Sequence, residues 1–211
     1  MNFGITRALA GVDSWTDLGI LLRSGRHLRK WTDAGRPVPV PHAVKVRNIL
    51  AVAELFGVRT LVETGTQAGA TLAATLDYFD KLYSIEIYEP SVIAARRRFA
   101  RYPKVTIVQG DSASALPALV KTISEPILFW LDGHYSGEGT GMGAEHSPIV
   151  AEIDHILELR PERRDAIIID DARLFVGKEG YPPIEMFLAD VRKRFGTEPR
   201  HADDAIFIFP K

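Results

Sequence analysis

The sequence of 211 residues contains no cysteine, which excludes several kinds of chemistry at once. Disulfide bonds, a thiolate nucleophile and a cysteine-ligated zinc site all require a thiol. The 26 basic and 27 acidic residues leave a formal net charge of −1, so nothing attracts the chain generally to nucleic acid or to an anionic membrane. We find no signal peptide and no apolar run long enough to span a bilayer. These absences are typical of a cytoplasmic protein.

The chain does contain a regular alternation of helix-type and strand-type segments, and 46% of its residues are hydrophobic, enough for a full core. Alternation of this kind predicts an α/β fold with a mainly parallel sheet and helices on both faces. The predicted helices lie at about 13–34, 42–56, 69–79, 89–101, 112–123, 147–159 and 183–195. The predicted strands lie at about 59–63, 82–86, 105–108, 127–131, 166–170 and 205–209.

The N-terminal part differs from the rest in composition. Prolines at positions 37, 39 and 41 predict a stiff, extended linker after a helix that carries Trp15, Trp31 and a basic face. We therefore divide the chain into an N-terminal helical extension with a Pro-rich linker (1–44) and an α/β domain (45–211). The extension packs on the domain or on a second subunit, or it acts as a lid; a role in RNA binding is disfavoured by the net charge and by the lack of an RNA-binding motif.

The most informative motif is the segment LVETGTQAGAT, which runs from Leu61 to Thr71. A short apolar strand ends near an acid, Glu63, and continues through a turn with two glycines into a helix. That order is typical of a nucleotide-type ligand site at the end of the first strand. We expect Gly65 to permit a sharp turn and Gly69 to let the helix pack close to the strand. The second glycine of G-x-G-x-x-G is missing, which makes a plain dinucleotide site a weak interpretation.

An acidic residue ends or follows each of the first five predicted strands. These residues are Glu63, Glu86, Asp111, Asp132 and the pair Asp170-Asp171. Any one of them could simply cap a helix or be solvated, and Asp111 before helix 112–123 is the strongest candidate for a cap. Caps alone do not explain the whole set. Carboxylates crowded at one edge of a sheet repel one another unless a ligand or a cation compensates them.

The order of these residues resembles the class I S-adenosylmethionine-dependent methyltransferases. The resemblance covers roughly residues 45–211, and the motif at 63–71 is similar to that of small metal-dependent O-methyltransferases of the catechol type. The segments WLDGHYSG (130–137) and IDDAR (169–173) resemble a bacterial group related to sugar and macrolide O-methyltransferases. Thr66 departs from the broader pattern, which often has a glycine there. The resemblance implies a Rossmann-like, doubly wound, mainly parallel seven-stranded sheet plus an N-terminal helical extension.

The resemblance also implies how S-adenosylmethionine would be bound. Glu86 would accept hydrogen bonds from both ribose hydroxyls, and Asp111 would accept one from the adenine amino group. Glu63 and the backbone of Gly65 would meet the methionine part. The alternative for Glu86 is an ion pair with Arg96 or Arg97. The full predicted cofactor set is Glu63, Thr64, Gly65, Thr66, Gly69, Glu86, Asp111, Ser112 and Asp132.

A second implied group is a magnesium site formed by Asp132, Asp170 and Asp171, because hard divalent cations prefer carboxylate oxygens. Asp171 stands where an amide is common in the family, and the alternative is that Asp170 or Asp171 turns the chain and caps a neighbour. We predict Asp132 and His134 as the catalytic residues. His134 lies in a glycine-rich loop and could be a general base, a metal ligand or a hydrogen-bond partner of the substrate.

These expectations together predict an S-adenosylmethionine-dependent O-methyltransferase that acts on a small hydroxylated metabolite, with a sugar-containing acceptor as one candidate. We expect a small-molecule acceptor as partner, no nucleic acid and no membrane, and a homodimer is compatible with a projecting N-terminal helix pair. Arg173, Lys178 and Tyr181 either bind an anionic or sugar substrate or are solvated. Two rival functions stay open: an NAD(P)-dependent oxidoreductase and a non-catalytic binding protein that retains the fold.

Overall fold

A computed structural model describes residues 25–26, 28–133, 147–162 and 164–211. Besides the helical residues 28–33, their helices are α1 (His42–Phe56), α2 (Ala70–Thr75), α3 (Glu89–Arg98), α4 (Ser112–Val120), α5 (Ile149–Leu159) and α6 (Ile184–Phe195), with a 3-10 turn at Ala172–Leu174. Their strands are β1 (Thr60–Thr64), β2 (Lys81–Glu86), β3 (Val105–Gln109), β4 (Ile127–Leu131), β5 (Ala166–Ile169), β6 (Arg200–Ala202) and β7 (Ala205–Ile208).

The strands form one seven-stranded sheet in the order β3-β2-β1-β4-β5-β7-β6. The first five strands are parallel, and β7 is antiparallel to both of its neighbours. The predicted α/β fold with a mainly parallel seven-stranded sheet is therefore confirmed. In the register of the sheet, Thr64 stands opposite Ile85 on one side and Leu131 on the other. The carboxyl ends of β1, β2 and β4 consequently meet at one edge.

Two apolar cores lie on the two faces of the sheet. On one face, Leu61 and Leu128 pack with buried residues of α1, α2 and α3, such as Ile49. On the other face, Val62 and Phe129 pack with buried residues of α4, α5 and α6. Consecutive strand residues thus contribute to opposite cores, which explains why β1 and β4 are apolar at neighbouring positions and buried along their length.

The element boundaries differ from the predicted ones mainly at helix ends. Helix α2 spans Ala70–Thr75, whereas the sequence predicts 69–79, because Gly69 is its left-handed N-cap and the chain turns after Thr75. The predicted end of α1 at Gly57 is confirmed, since this glycine is left-handed and its N–H caps the helix. Strand β6 was not predicted from the sequence, because all three of its residues are exposed and give no apolar signal.

The described part of the N-terminal extension packs against the start of α1. Residues 28–33 are helical, and the indole of Trp31 donates a hydrogen bond of 2.8 Å to the carbonyl oxygen of Pro37. Trp31 is buried with Val40 and Val44 in a small apolar cluster. Trp15 and the first half of the predicted 13–34 helix lie outside the described residues. Within the described ranges, no helix is long and apolar enough to cross a membrane.

Candidate active site

Gly65 lets the turn after β1 pass close to the backbone that follows β4, at the carboxyl edge of the sheet. Its φ of +83° is in the left-handed region, and a Cβ at this position would lie 2.5 Å from the carbonyl oxygen of Asp132. Both observations require glycine, the first for conformation and the second for space. The sharp turn predicted at Gly65 is present, and it sets Asp132 directly beside the end of β1.

Gly69 is also left-handed, with φ of +67°, but its close neighbour is not the one expected. A Cβ on Gly69 would lie 2.7 Å from the ring of Phe99, the residue that follows α3. The expectation that this glycine lets α2 pack close to the strand stays a prediction, since the neighbour found here is a helix-end residue. The small residue lets the start of α2 pack against an aromatic ring of the same core.

Glu63 is a buried carboxyl group held by hydroxyls. Ser84 donates a hydrogen bond of 2.6 Å to Glu63 Oε2, and the hydroxyls of Thr66 and Ser84 lie 2.6 Å apart. Only 2% of the residue is exposed. Burial raises the pKa of Glu63 to about 8, against the opposing effect of the Ser84 hydrogen bond. A cationic ligand group placed beside this carboxyl group would favour its ionised form.

Glu86 ends β2 and is held by two backbone N–H groups. Gln67 N–H donates to Oε2 at 2.7 Å and Tyr88 N–H donates to Oε1 at 2.8 Å. Each carboxylate oxygen keeps further acceptor capacity for a ligand hydroxyl. The guanidinium of Arg96 donates to the carbonyl oxygen of Ile107 at 3.2 Å, and Arg97 is exposed. The ion pair considered as the alternative therefore does not account for the position of Glu86.

The segment after β3 places Asp111 and Ser112 at the start of α4. Asp111 Oδ1 accepts a hydrogen bond of 3.1 Å from the N–H of Ala113, so the capping role considered for this residue is confirmed. The hydroxyls of Ser112 and Thr64 act on the buried Glu152 of α5 by lowering its pKa against the effect of burial, and Oε1 of Glu152 has no hydrogen-bond partner among the described residues. Burial raises the pKa of Glu152 to about 7. Both cofactor candidates, Thr64 and Ser112, are thus tied to this buried carboxyl group beneath the edge of the sheet.

Asp132, Asp170 and Asp171, which we call the acidic cluster, follow β4 and β5. One carboxylate oxygen from each lies within 4.8 Å of the others. The side chain of Asp170 is 1% exposed, and its Oδ1 has no hydrogen-bond partner among the described residues. Burial, together with the charge of Asp132, raises the pKa of Asp170 to about 7. The structure therefore brings together the three residues that the sequence predicts as one group.

Lys45, which sequence reasoning missed, projects from α1 into the acidic cluster. Its Nζ donates to Asp170 Oδ2 and lies 3.5 Å from Asp171 Oδ1. Burial opposes the charge of Lys45, but the carboxylate of Asp170 and its neighbours outweigh burial and raise the pKa of the ammonium. A signal existed in the sequence, because Lys45 lies four and seven residues before Ile49 and Val52 on the buried stripe of α1.

His42 lies almost one turn before Lys45 at the start of α1. Its Nε2 is 3.4 Å from the hydroxyl oxygen of Thr71, at the start of α2. Burial, together with the charge of Lys45, lowers the pKa of His42, which favours the neutral form of the ring. His42 was not singled out from the sequence. Helix α1 thus contributes two polar side chains, one beside the start of α2 and one in the acidic cluster.

Arg173 is tied to acidic residues. Its guanidinium donates to Asp171 Oδ1 at 2.6 Å and also pairs with Asp204, which lies in the turn before β7. Tyr181 is buried, with its ring centroid 5.0 Å from that of Phe175, and Lys178 is exposed. Of the two alternatives considered for Tyr181, a solvated side chain is therefore wrong. The catalytic candidate His134 lies outside the described residues.

Comparison with known proteins rests on solved structures, since no protein-family model and no curated protein matches the chain. It is similar to an O-methyltransferase from Bacillus cereus in complex with SAH (TM-score 0.59, 14% identity, covering 89% of this chain and 90% of that one). It is also similar to the O-methyltransferase TomG from Streptomyces achromogenes in complex with SAM (TM-score 0.57, 16% identity, 89% of each chain). A third match is the SAH-bound methyltransferase PaMTH1 from Podospora anserina (TM-score 0.57, 16% identity, 89% and 87%). The chain therefore has the fold of the class I S-adenosylmethionine-dependent methyltransferases.

Proposed function

We propose that the protein is an S-adenosylmethionine-dependent O-methyltransferase whose acceptor is a small hydroxylated molecule, with a sugar-containing metabolite as one candidate. One observation carries this proposal: the buried carboxyl group of Glu63, near the end of β1, and the acidic cluster lie at one edge of the sheet, where the turn at Gly65 passes against the backbone of Asp132. The cofactor and the acceptor would then meet at the same place. The three similar structures named above were determined with SAM or SAH bound, which supports the choice of cofactor.

The cofactor half of this site would consist of the turns after β1, β2 and β3. Glu86 would accept hydrogen bonds from the ribose hydroxyls, because its two oxygens are already fixed by backbone N–H groups in a buried position. Glu63 would face the ammonium of the methionine part. Asp111 has one oxygen engaged as a cap, and the other would accept from the adenine amino group. Transfer breaks the carbon–sulfur bond of the sulfonium and forms a carbon–oxygen bond, and the acceptor hydroxyl loses its proton.

The acidic cluster would form the acceptor half. Its three carboxylates are hard oxygen donors, and the unpartnered buried Oδ1 of Asp170 fits a role as a ligand of a divalent cation such as Mg²⁺. When bound, such an ion would promote loss of the proton from the acceptor hydroxyl. Asp132 lies beside the Gly65 turn and would orient the acceptor toward the methyl group, while His134 stays a proposed proton acceptor.

The rival oxidoreductase function is less compatible with the described residues. Nicotinamide-binding sheets commonly have the order 3-2-1-4-5-6, whereas here an antiparallel strand, β7, is inserted beside β5. Gln67 replaces the second motif glycine, and its N–H is already donated to Glu86. A non-catalytic binding protein would have the same fold and would differ only in lacking turnover. The division at residues 44/45, the homodimer, the cytoplasmic location and the absence of nucleic-acid and membrane partners stay predictions.

Calorimetric titration with S-adenosylmethionine, S-adenosylhomocysteine and NAD tests the proposal. We expect saturable binding of the first two and none of NAD, with Glu86→Gln weakening the binding and the exposed control Glu54→Gln leaving it unchanged. Binding of NAD instead would favour the oxidoreductase. Cofactor binding without transfer of a labelled methyl group to any of a panel of hydroxylated acceptors would favour the binding protein.

A further inference from the structure

Lys45 places its ammonium in the acidic cluster, against two of the three proposed metal ligands. Its ammonium contacts Asp170 Oδ2 and lies 3.5 Å from Asp171 Oδ1, so it stands between two of the three proposed ligands. The lysine side chain is 19% exposed, so its charge is only partly hydrated there. The cluster therefore already contains a cation supplied by the chain itself.

A divalent cation bound through Asp170 Oδ2 and Asp171 Oδ1 could not share this position with the ammonium. Mg²⁺ ligands lie at about 2.1 Å from the ion, and a metal at that distance from the two carboxylates would lie in contact with Lys45. Like charges at contact distance repel strongly where water is largely excluded. A metal held by these two oxygens and the ammonium of Lys45 therefore exclude each other.

Lys45 is the cation that can leave. Arg173 also contacts Asp171, but its guanidinium is held by Asp204 as well, whose side chain is 2% exposed. Lys45 is held by a flexible four-carbon stem on α1, and a rotation of this stem would carry the ammonium toward solvent. Asp170 would then offer both carboxylate oxygens to a metal, including Oδ1, which has no hydrogen-bond partner among the described residues. Asp170 also lines a small cavity together with Asp132 and Glu152.

We propose that Lys45 is an internal competitor for the divalent cation of the acidic cluster, a lysine that neutralises the carboxylates while the metal is absent and is displaced when the metal binds. This inference rests on the proposed function, because it concerns the metal of that same site. It predicts that the natural protein binds divalent cations weakly, and that removal of the lysine charge strengthens the binding.

Titration with Mn²⁺, followed by the paramagnetic resonance signal of the free ion, tests this competition without reference to turnover. We expect Lys45→Met to lower the dissociation constant for Mn²⁺ at least about tenfold relative to the natural protein. Lys45→Arg keeps the charge and should bind as weakly as the natural protein. The matched control is Lys81→Met, which removes an acid-paired lysine whose Nζ lies 2.6 Å from Glu125, and it should leave the constant unchanged.

Adding Asp170→Asn to Lys45→Met should abolish the gain, which would assign the ion to the cluster. Lys45→Gln serves as a second neutral variant that retains one hydrogen-bond donor for Asp170, should the methionine variant unfold. Mn²⁺ should also raise the unfolding temperature of either neutral variant more than that of the natural protein. Unchanged or weaker Mn²⁺ binding in both neutral variants, or no binding in any variant, would overturn the competition.

Titration with S-adenosylhomocysteine on the same samples separates this result from the proposed function. Cofactor binding with no gain in Mn²⁺ affinity would leave the methyltransferase proposal intact and remove the role of Lys45. A gain in Mn²⁺ affinity without cofactor binding would support the role of Lys45 and count against the methyltransferase proposal.

Discussion

Replacing Glu63 by glutamine should make the protein more stable at neutral and alkaline pH while weakening cofactor binding. Burial raises the pKa of this carboxyl group from 4.5 to about 8 in the folded protein. Between these two values, Glu63 holds its proton in the folded state and loses it in the unfolded state. The folded state thus binds more protons, so the free energy of unfolding contributed by Glu63 falls as the pH rises through this window.

The size of the effect follows from the two pKa values. Each pKa unit corresponds to about 1.4 kcal/mol, so a pKa raised from 4.5 to about 8 amounts to about 5 kcal/mol once Glu63 is ionised in both states. Between pH 5 and pH 8 the part lost is about 3 kcal/mol. Glutamine has nearly the same shape and no charge, so Glu63→Gln should show none of this loss.

Urea unfolding of both proteins at pH 5 and pH 8 measures the prediction. The difference in free energy of unfolding between Glu63→Gln and the natural protein should be about 3 kcal/mol larger at pH 8 than at pH 5, because titration of the other groups cancels in the comparison. The exposed control Glu54→Gln should show no such change. Parallel pH dependence in Glu63→Gln and the natural protein would refute the reasoning. Weaker binding of S-adenosylhomocysteine by the stabilised variant would indicate that the charge is kept for the ligand.

Three further substitutions test individual parts of the site and the core. Gly65→Ala should lower the free energy of unfolding by about 2 kcal/mol more than Gly35→Ala, since both glycines are left-handed but only at Gly65 would the added Cβ lie 2.5 Å from a backbone oxygen; urea unfolding measures both, and equal losses would contradict the steric argument. Glu86→Gln should weaken S-adenosylhomocysteine binding by about 2 kcal/mol in calorimetry, because hydrogen bonds to a charged group are lost; unchanged affinity would remove the ribose assignment. Arg160→Met should lower the free energy of unfolding by about 3 kcal/mol and leave cofactor affinity unchanged, because it breaks a buried ion pair of 2.8 Å far from the carboxyl edge; a loss of affinity without a loss of stability would be the contrary result.

The sequence predicted the central sheet well because its signals are local. Buried parallel strands such as Ile127–Leu131 are continuously apolar, and the turn glycines mark where they end. Strand β6 escaped prediction because its residues are exposed, and so the pairing that makes β7 antiparallel was not visible either. The motif predicted the sharp turn at Gly65, but the contact of this turn with the backbone of Asp132 is a long-range contact that no local pattern encodes.

Sequence reasoning placed candidate site residues only at the ends of strands. The acidic cluster could be expected from topology, because parallel strands share one edge. Lys45 and Glu152 could not be placed in this way, since each comes from a helix and reaches the edge from one face of the sheet. Each leaves a trace in its helix: Glu152 stands on the apolar stripe between Ile149 and Ile156, where a charge is unexpected. Such a residue predicts a buried polar contact but does not predict which residue it contacts.

The acidic cluster should form in steps during synthesis, because the turn between β6 and β7 is made after the residues of the cluster. Asp204 in this turn holds Arg173, and its neighbour Asp203 pairs with Arg47 of α1 at 2.5 Å. A ribosome releases α1 and the strands bearing Asp170 well before it releases this turn. Until then, Arg173 lacks the contact with Asp204 that fixes it beside Asp171, so the nascent chain would acquire its five parallel strands before this cation is fixed at the cluster.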